Sequence, residues 1–378
     1  MWKVQLFELD FDYQEQQAVD SVLQSKWLAM GEKVSEFEKN FETFLGGGIK
    51  CNAVSSCTAA LHLSLMAINV THGDEVIIPS LTFIAAPNVV KQLGATPVIA
   101  DCKSIDHWNM SIDSVEKLIT PKTKAVMIVH YSGVPCSDII EITNLCKSKN
   151  IKLIEDVAHA PGAEINGKKC GTFGDIGCFS FYSNKNISVG EGGMTSTSDD
   201  ILHETLKSKR AHGMNSLVLD RHKGRSFSYD ITNEGLNYRM DEIRAAMGIV
   251  QLAKLEKNNS KRKNIYSTYI EMLKDTDIHV PFLNESMNSV SSHHIMPILL
   301  PEGIDRNKVV AQLKEDGIQS SMHYPAFWNF SSYKNIFDPN DTPVTKLICD
   351  RQLTLPLYPN MLQNKVELVI ASLLKSCN

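Results

Sequence analysis

The residues of this chain that could do chemistry are a lysine, an acid and a glycine-rich turn. Lys185 follows an apolar segment that ends at Phe181, and the turn Gly190–Gly193 comes five residues later. Asp156 lies upstream, at the end of another apolar segment. A lysine amine can attack a carbonyl carbon and form a covalent bond with it. The pattern therefore predicts carbonyl chemistry at Lys185 with a carboxylate nearby.

These parts are typical of a pyridoxal phosphate (PLP) site. There the lysine forms the aldimine with the cofactor, and a carboxylate keeps the pyridine nitrogen protonated so that the ring can accept electrons. We predict that Lys185 and Asp156 have these roles. The alternatives are a solvated lysine and an aspartate that caps a turn, each common for a single residue. The position of Asp156 at a strand end, where ligands of α/β proteins bind, favours the PLP interpretation.

A PLP site also needs a cup for the phosphate, and a helix N-terminus can provide one. The run SSCTAAL at residues 55–61 follows a predicted strand and offers hydroxyls and backbone N–H groups, and Ser180 adds another hydroxyl. By itself this run would be an ordinary helix cap. Together with Lys185 it predicts the phosphate cup.

Two aromatic residues are candidates for contact with the cofactor ring. Phe83 lies just beyond a predicted strand, and His159 lies three residues after Asp156. A single phenylalanine is more often part of the core, and a single histidine more often has a structural role. Their assignment to the site therefore depends on the residues around them.

The elements that must position these residues alternate between strand and helix. Residues 13–45 read as helical, with an interruption at WLAMG (27–31), and from Ala53 short apolar strands alternate with amphipathic helices. This alternation predicts an α/β fold with a largely parallel sheet covered by helices on both faces. The predicted strands are 75–78, 96–100, 125–130, 152–155 and 177–181, and the helices between them are 58–69, 83–93, 111–119 and 138–149.

The remainder of the chain predicts a smaller α+β unit. It comprises a long helix at 241–273, a strand at 294–300, and helices at 306–316 and 364–374. We expect a large PLP-binding domain with the N-terminal helices at 1–250 and a small C-terminal domain at 251–378. The polar segment 215–233 reads as a long loop, and such loops are often functional.

Composition argues against several classes of protein. The chain of 378 residues has a net charge of −5, which does not point to nucleic acid. Its nine cysteines are scattered, with no C-x-x-C pair and no accompanying histidine cluster, so a disulfide framework or metal site is not expected. Neither a signal peptide nor an apolar run of membrane-spanning length is recognisable. We expect a cytoplasmic protein.

Further motifs occur in order along nearly the whole chain: SKWLAMG (25–31), SSCTAALHL (55–63), TF (82–83), EDVAHA (155–160), FSF (179–181) with Lys185, GEGG (190–193), NYRM (237–240), MHYP (322–325) and LPLYP (355–359). Together they resemble the DegT/DnrJ/EryC1/StrS family of PLP-dependent sugar aminotransferases. The resemblance implies a fold type I aminotransferase with a mostly parallel mixed sheet, and a homodimer whose active sites lie at the subunit interface.

The resemblance also implies roles for individual residues. Lys185 would bond to the cofactor, Asp156 would contact the pyridinium, and Phe83 would stack on the ring. His159 looks like the residue usual in members that act on nucleotide-linked sugars, whereas members that act on cyclitols often have glutamine there. The phosphate would be held by Cys57, Thr58 and Ser180, with Asn237 reaching in from the neighbouring subunit.

Substrate contacts are predicted for Arg239, His323 and Tyr324. Arg239 is a candidate for the carboxylate of the amino donor, because a guanidinium binds carboxylates in a bidentate fork. The alternative is that Asn237 and Arg239 cap the helix that begins near Asp241. Two positions depart from the family pattern, since Cys57 and Lys26 stand where many members have glycine.

The sequence thus predicts an aminotransferase that moves an amino group from glutamate to a keto sugar through pyridoxamine phosphate (PMP). The favoured acceptor is a nucleotide-linked 4-keto-6-deoxyhexose; a 3-keto sugar, a keto-octulosonate and a cyclitol stay open. A sugar dehydratase of the same family would carry histidine in place of Lys185. A regulator that kept only the fold would be expected to lose Lys185 or Asp156. A nucleotide-binding protein that uses the Gly190–Gly193 turn would need a G-x-G-x-x-G motif after a strand, which is missing.

Overall fold

The computed structural model describes residues 2–214, 230–284, 287–334 and 336–377, so most of the polar segment predicted as a loop lies outside the described residues. The α-helices are α1 (Tyr13–Ser25), α2 (Glu32–Leu45), α3 (Cys57–Ala67), α4 (Ala85–Gln92), α5 (Ile112–Leu118), α6 (Ile139–Lys149), α7 (Asp200–Lys209), α8 (Glu242–Leu273), α9 (Arg306–Glu315), α10 (Pro343–Arg351) and α11 (Gln363–Cys377). The strands are β1 (Lys50–Val54), β2 (Glu75–Pro79), β3 (Thr96–Ala100), β4 (Cys102–Ser104), β5 (His107–Met110), β6 (Thr123–Val129), β7 (Lys152–Asp156), β8 (Glu164–Ile165), β9 (Lys168–Lys169), β10 (Ile176–Ser180), β11 (Gly193–Thr197), β12 (Ser289–Val290), β13 (Met296–Leu299) and β14 (Gln352–Leu355).

A seven-stranded sheet forms the centre of the fold, in the order β1-β11-β10-β7-β6-β2-β3. Strand β11 runs antiparallel to both of its neighbours, and the other pairings are parallel. Parallel neighbours need crossover connections, which explains the alternation of strands and helices in the sequence. The predicted α/β class with a mostly parallel mixed sheet is confirmed.

The sheet interior is apolar on both faces. The last five residues of β6 are buried, and every residue of β10 is buried. Helix α3 lies against the sheet with most of its residues buried, including Leu61 and Leu65. Strands covered on both faces read as continuous apolar runs rather than alternating ones, which is why they were recognisable in the sequence.

Strands β1, β2, β6, β7 and β10 point the same way, so their carboxyl ends meet at one edge of the sheet. Ligands of open α/β sheets bind at this edge. Asp156 ends β7 and pairs in register with Cys178 of β10. The last residues of β7 and β10, together with the segments that follow β1, β2, β7 and β10, carry most of the predicted site residues.

Helix α8 takes part in two hydrophobic cores. Its first half packs against α1 and α2, where Ala245 and Leu255 join the core around Phe37. Its second half contributes Ile265 and Tyr269 to a separate core with β13, β14, α9 and α11. The predicted domain boundary at residue 250 falls within this helix, and the division into two domains stays a prediction.

None of the helices in the described part of the chain is long and apolar enough to cross a membrane.

Two predicted element bounds are wrong in ways that matter for the site. The helix expected from Phe83 begins at Ala85, which leaves Phe83 in the preceding loop. The strand expected from His294 begins at Met296, because β14 ends opposite Met296 at Leu355. The backbone N–H of His294 instead donates to the carbonyl of Ser132, at 2.9 Å.

Candidate active site

A cavity of about 570 Å³ lies at the carboxyl edge of the sheet. It brings together side chains from the segments that follow β1, β2, β7 and β10 and from the segment before α10. The predicted site residues that line it are Cys57, Thr58, Phe83, Asp156, His159, Ser180, Lys185, His323 and Tyr324.

Asp156 is the buried acid of this cavity. Its Oδ1 accepts a hydrogen bond from the backbone N–H of Ala158 at 2.9 Å and lies 3.8 Å from the Cys57 thiol. Burial raises the pKa of Asp156, while the Ala158 hydrogen bond and the charge of Lys185 act in the opposite direction. Among the described residues none donates to Oδ2, so that oxygen is available to a ligand.

The neighbouring Glu155 has a different role. Its carboxylate is fully buried and accepts hydrogen bonds from His130 Nε2 at 2.9 Å and from the backbone N–H groups of Gly171, Phe173 and Gly174 at 2.7 Å each. Adjacent residues of a strand point to opposite faces of the sheet. Glu155 therefore holds the 171–174 turn, and Asp156 is the carboxylate that faces the cavity.

Lys185 lies in the loop after β10, and its backbone N–H donates to the carbonyl of Tyr182 at 2.9 Å. Burial lowers the pKa of the Lys185 amine to about 8, against the opposing charge of Asp156. A buried amine gives up its proton more readily, because the charged form is poorly solvated. Near neutral pH a larger fraction of this amine is therefore neutral and nucleophilic than of an exposed lysine.

The first turn of α3 forms a cup beside these residues. Ser56 caps the helix by accepting from the N–H of Ala59 at 3.1 Å, so its hydroxyl is already used. The N–H groups of Cys57 and Thr58 belong to the first turn, which has no intrahelical acceptors. A side chain at Gly193 would place its Cβ 2.6 Å from the carbonyl carbon of Ser56, so glycine lets β11 approach this turn. A helix N-terminus of this kind suits a phosphate.

Phe83 and His159 lie on the cavity wall. The Phe83 side chain is 53% exposed, which excludes the interpretation as a core residue, and its ring centroid is 5.5 Å from that of Tyr324. His159 is buried and accepts from the N–H of Ser132 at Nδ1, at 3.3 Å. Its Nε2 therefore carries the proton and donates to the Tyr324 hydroxyl at 2.7 Å. Burial lowers the pKa of His159 well below its usual range, so the ring is neutral.

His323 and Tyr324 close the cavity from the C-terminal part of the chain. His323 Nδ1 is 3.0 Å from the hydroxyl of Thr354, and the carbonyl of His323 accepts from the Tyr131 hydroxyl. Burial lowers the pKa of His323 to about 3 and raises the pKa of Tyr324. Both side chains are thus uncharged at neutral pH.

Asn237 and Arg239 do not line the cavity of their own chain. The Asn237 side chain is exposed, and its backbone pairs with Ala211. The helix cap suggested as their alternative role belongs to another residue, because Asp241 accepts from the N–H of Arg244 at 2.9 Å at the start of α8. The structure brings neither residue to the cavity within one chain.

The structure also places residues at the site that sequence reasoning missed. His294 Nε2 lies 3.5 Å from Nζ of Lys185. Its only sequence signal was the pair His293-His294 before an apolar strand, which gives no hint of a contact 109 residues away. Polar cavity-lining residues without a predicted role include Tyr182, Asn184, Glu191 and Ser321.

The residues present fit PLP. A lysine amine, a carboxylate with an open oxygen and a helix N-terminus lie around one cavity, and an exposed aromatic ring stands on its wall. Each matches one part of the cofactor: the aldehyde, the pyridine nitrogen, the phosphate and the ring face.

Comparison with known proteins agrees with this geometry. The model of the DegT/DnrJ/EryC1/StrS aminotransferase family matches residues 10–374. An uncharacterized protein of Methanocaldococcus jannaschii is 35% identical over 364 residues, which is 94% of this chain and 93% of that protein.

Two solved structures have closely similar folds. PseC of Helicobacter pylori, an aminotransferase involved in the biosynthesis of pseudoaminic acid, is 30% identical with a TM-score of 0.89, covering 99% of this chain and 98% of its own. Spr1654 of Streptococcus pneumoniae, described as a sugar aminotransferase, has been solved in PLP and PMP forms. Its PLP form is 28% identical with a TM-score of 0.89 and covers 97% of both chains. The chain belongs to the DegT/DnrJ/EryC1/StrS family and is a PLP-dependent aminotransferase of fold type I.

Proposed function

We propose that this enzyme transfers the amino group of glutamate to a keto sugar, with a nucleotide-linked 4-keto-6-deoxyhexose as the favoured acceptor. The observation that carries the proposal is the Lys185 amine in one cavity with Asp156 and the α3 cup. The cavity, at about 570 Å³, has room for a substrate beside the cofactor. The sugar part is supported by PseC and Spr1654, whose descriptions concern sugar metabolism.

Each site residue then has a defined task. When bound, PLP supplies the electron sink that makes the C–H bond beside the amino group acidic. Lys185 would hold the cofactor through its amine and, when that amine is free, would move the proton of the donor. Asp156 would keep the pyridine nitrogen protonated, since its carboxylate faces the cavity. Thr58, Cys57 and Ser180 would hold the phosphate, and Phe83 and His159 would flank the ring.

We also propose that the site is completed by a second copy of the chain. Asn237 would reach the phosphate of the partner's site, and Arg239 would bind the donor carboxylate there. The exposed Asn237 side chain on a backbone fixed by the Ala211 pairing is compatible with this role.

All nine cysteines lie in the described ranges and have free thiols, which supports a reducing, cytoplasmic location.

Turnover with a panel of keto sugars tests the substrate proposal. Purified protein with PLP and glutamate is mixed with nucleotide-linked 4-keto and 3-keto sugars, a keto-octulosonate and a ketocyclitol, and 2-oxoglutarate and the amino product are measured. We expect the 4-keto-6-deoxyhexose to give the highest kcat/KM, and Lys185→Ala protein to give none. A higher kcat/KM for another keto compound overturns the preferred acceptor, and transamination of non-sugar acceptors alone overturns the sugar assignment.

A further inference from the structure

The imidazole of His294 lies next to the Lys185 amine. None of the proposed PLP contacts involves the segment that carries His294. His294 is 3% exposed, and its Nε2 is 3.5 Å from Nζ of Lys185. Its other nitrogen, Nδ1, is 2.8 Å from Oδ1 of Asn186. The side chain thus connects the lysine to the residue that follows the lysine in the chain.

The hydrogen-bond network fixes which nitrogen of His294 carries the proton. Asn186 Nδ2 donates to the backbone carbonyl of Ser292 at 2.9 Å and to Oδ1 of Asn259 at 2.8 Å. The Asn259 amide is itself oriented, because its Nδ2 donates to the backbone carbonyl of Pro161 at 3.0 Å. Backbone carbonyls can only accept, so Asn186 Oδ1 is an acceptor for His294. The proton of a neutral His294 is therefore on Nδ1, and Nε2 presents a bare lone pair to Lys185.

The ring of His294 is held in place and uncharged. It packs against the ring of His159 with centroids 4.4 Å apart. Burial lowers the pKa of His294 well below its usual range, and the nearby charges of Lys185 and Arg262 act in the same direction. The titratable groups that face the Lys185 amine from the surrounding elements are Cys57, Asp156, His159, His294, His323 and Tyr324.

We propose that His294 is a positioning residue for Lys185, whose ε-amine donates a hydrogen bond to the bare Nε2 of the imidazole. This rests on the proposed role of Lys185 as the lysine that bonds to the cofactor. The contact matters in the half of the cycle in which the amine is free. There it holds Nζ in one place and stabilises the ammonium form, because hydrogen bonds to charged donors are stronger than those to neutral ones. His294 thus acts through Lys185.

A matched pair of variants separates this role from packing. Glutamine at 294 places an amide oxygen near the position of Nε2 and can accept from Lys185. Asparagine is shorter, so it keeps a donor for Asn186 but does not reach the lysine. The variants are therefore His294→Gln, which keeps an acceptor for Lys185, and His294→Asn, which keeps only the donor for Asn186.

The readout is the pH dependence of acetylation of Lys185 by trace acetic anhydride, followed by peptide mass spectrometry. It is measured on the full chain loaded with PMP, which leaves the lysine free, and again without cofactor. The exposed Lys122 serves as internal reference. Without cofactor we expect a midpoint near pH 8 for the wild type, in line with the pKa of about 8 for Lys185. His294→Gln should stay close to this value, and His294→Asn should fall by about one pH unit, since a hydrogen bond to a charged group is lost.

Equal midpoints for the wild type and His294→Asn would overturn the proposal, as would equal shifts for both variants. If both variants unfold, selective ¹⁵N labelling of histidine in the wild type decides. The His294 signals should show a neutral ring protonated at Nδ1, and an Nε2–H tautomer or an imidazolium overturns the proposal.

Absorbance of bound PLP is recorded separately. Failure to bind PLP, with the midpoints as expected, refutes the cofactor role of Lys185 and leaves the contact intact.

Discussion

At the scale of residues, two adjacent carboxylates do different work because a strand directs them to opposite faces. Glu155 accepts four hydrogen bonds from the protein, whereas Asp156 keeps Oδ2 open to the cavity. This contrast gives a pair of predictions in which one substitution affects catalysis and the other affects folding.

Replacement of Asp156 by asparagine should reduce activity far more than stability. The amide keeps the shape of the side chain but cannot hold the pyridine nitrogen protonated. We expect kcat to fall about 100-fold or more, the order typical for loss of one preorganised electrostatic contact. Steady-state kinetics and a thermal melt are the measurements. Turnover at the wild-type rate would show that Asp156 is not the pyridinium partner.

Replacement of Glu155 by glutamine should reduce stability. The amide offers one acceptor oxygen in place of two, so buried N–H groups of the 171–174 turn lose their partners. Each unsatisfied buried group costs about 1–3 kcal/mol, and we expect the free energy of unfolding to fall by about 2–4 kcal/mol. Urea unfolding measures this change. A loss below about 0.5 kcal/mol, within the range of surface substitutions, would contradict the structural role given to Glu155.

Residue chemistry was predictable where it follows from local sequence. Lys185 and Asp156 each come at or just after the end of an apolar strand, and the rule that ligands bind at strand ends placed them in one site. His294 was not predictable, because its contact with Lys185 depends on how the chain returns to the sheet after α8. The exposure of Phe83 was also not predictable, because the identity of a single apolar residue does not show whether its side chain is buried.

At the scale of elements, the carboxylate of Glu242 at the start of α8 holds the start of α2. It accepts from the backbone N–H groups of Gly31, Lys33 and Val34, each at 2.9 Å. Gly31 is the N-cap of α2 and has no side chain to satisfy these donors. The N–H of Glu242 also donates to the carbonyl of Leu28 at 3.0 Å, which fixes the segment before α2.

Glu242→Gln should therefore destabilise the protein. One amide oxygen replaces a charged carboxylate that serves three donors, and loss of a helix cap costs about 0.5–2 kcal/mol. We expect a loss of about 1–2 kcal/mol in the free energy of unfolding, at the upper part of that range. The exposed Glu256→Gln on the same helix is the matched control and should change stability by less than about 0.5 kcal/mol. Equal effects of the two substitutions would contradict the capping role.

The existence of the elements followed from periodicity, but their ends did not. The helical pattern of residues 13–45 gave α1 and α2, with the interruption where predicted. The cap of α2 comes from Glu242, more than two hundred residues away, and no local pattern reports such a partner. Likewise β13 is shorter than its apolar run, because it ends where β14 offers no further pairing.

In the whole molecule, the proposed site is completed by residues of two chains. The cavity contains the predicted cofactor residues of one chain, whereas Asn237 and Arg239 lie outside it. A site shared between subunits would explain why the NYRM segment, far from the cofactor residues in sequence, carries polar side chains of the kind that bind phosphate and carboxylate.

Subunit mixing tests the shared site. Lys185→Ala and Asn237→Ala should each be nearly inactive as homodimers. After subunit exchange, a heterodimer has one site with both lesions and one with neither, so we expect about a quarter of the wild-type activity: with random exchange about half of the dimers are mixed, each with one intact site. Tagged subunits and native mass spectrometry verify the exchange. A mixture that stays inactive despite verified exchange would mean that Asn237 acts within its own chain.

Lys185 is the residue to which we propose that PLP bonds. The most direct measurement is reduction of the PLP-loaded protein with borohydride, which makes the cofactor–lysine bond permanent, followed by proteolysis and mass spectrometry. We expect a pyridoxyl group on the peptide that contains Lys185 and none after Lys185→Ala. A pyridoxyl group on another lysine, or none although PLP is bound, would rule out this role for Lys185.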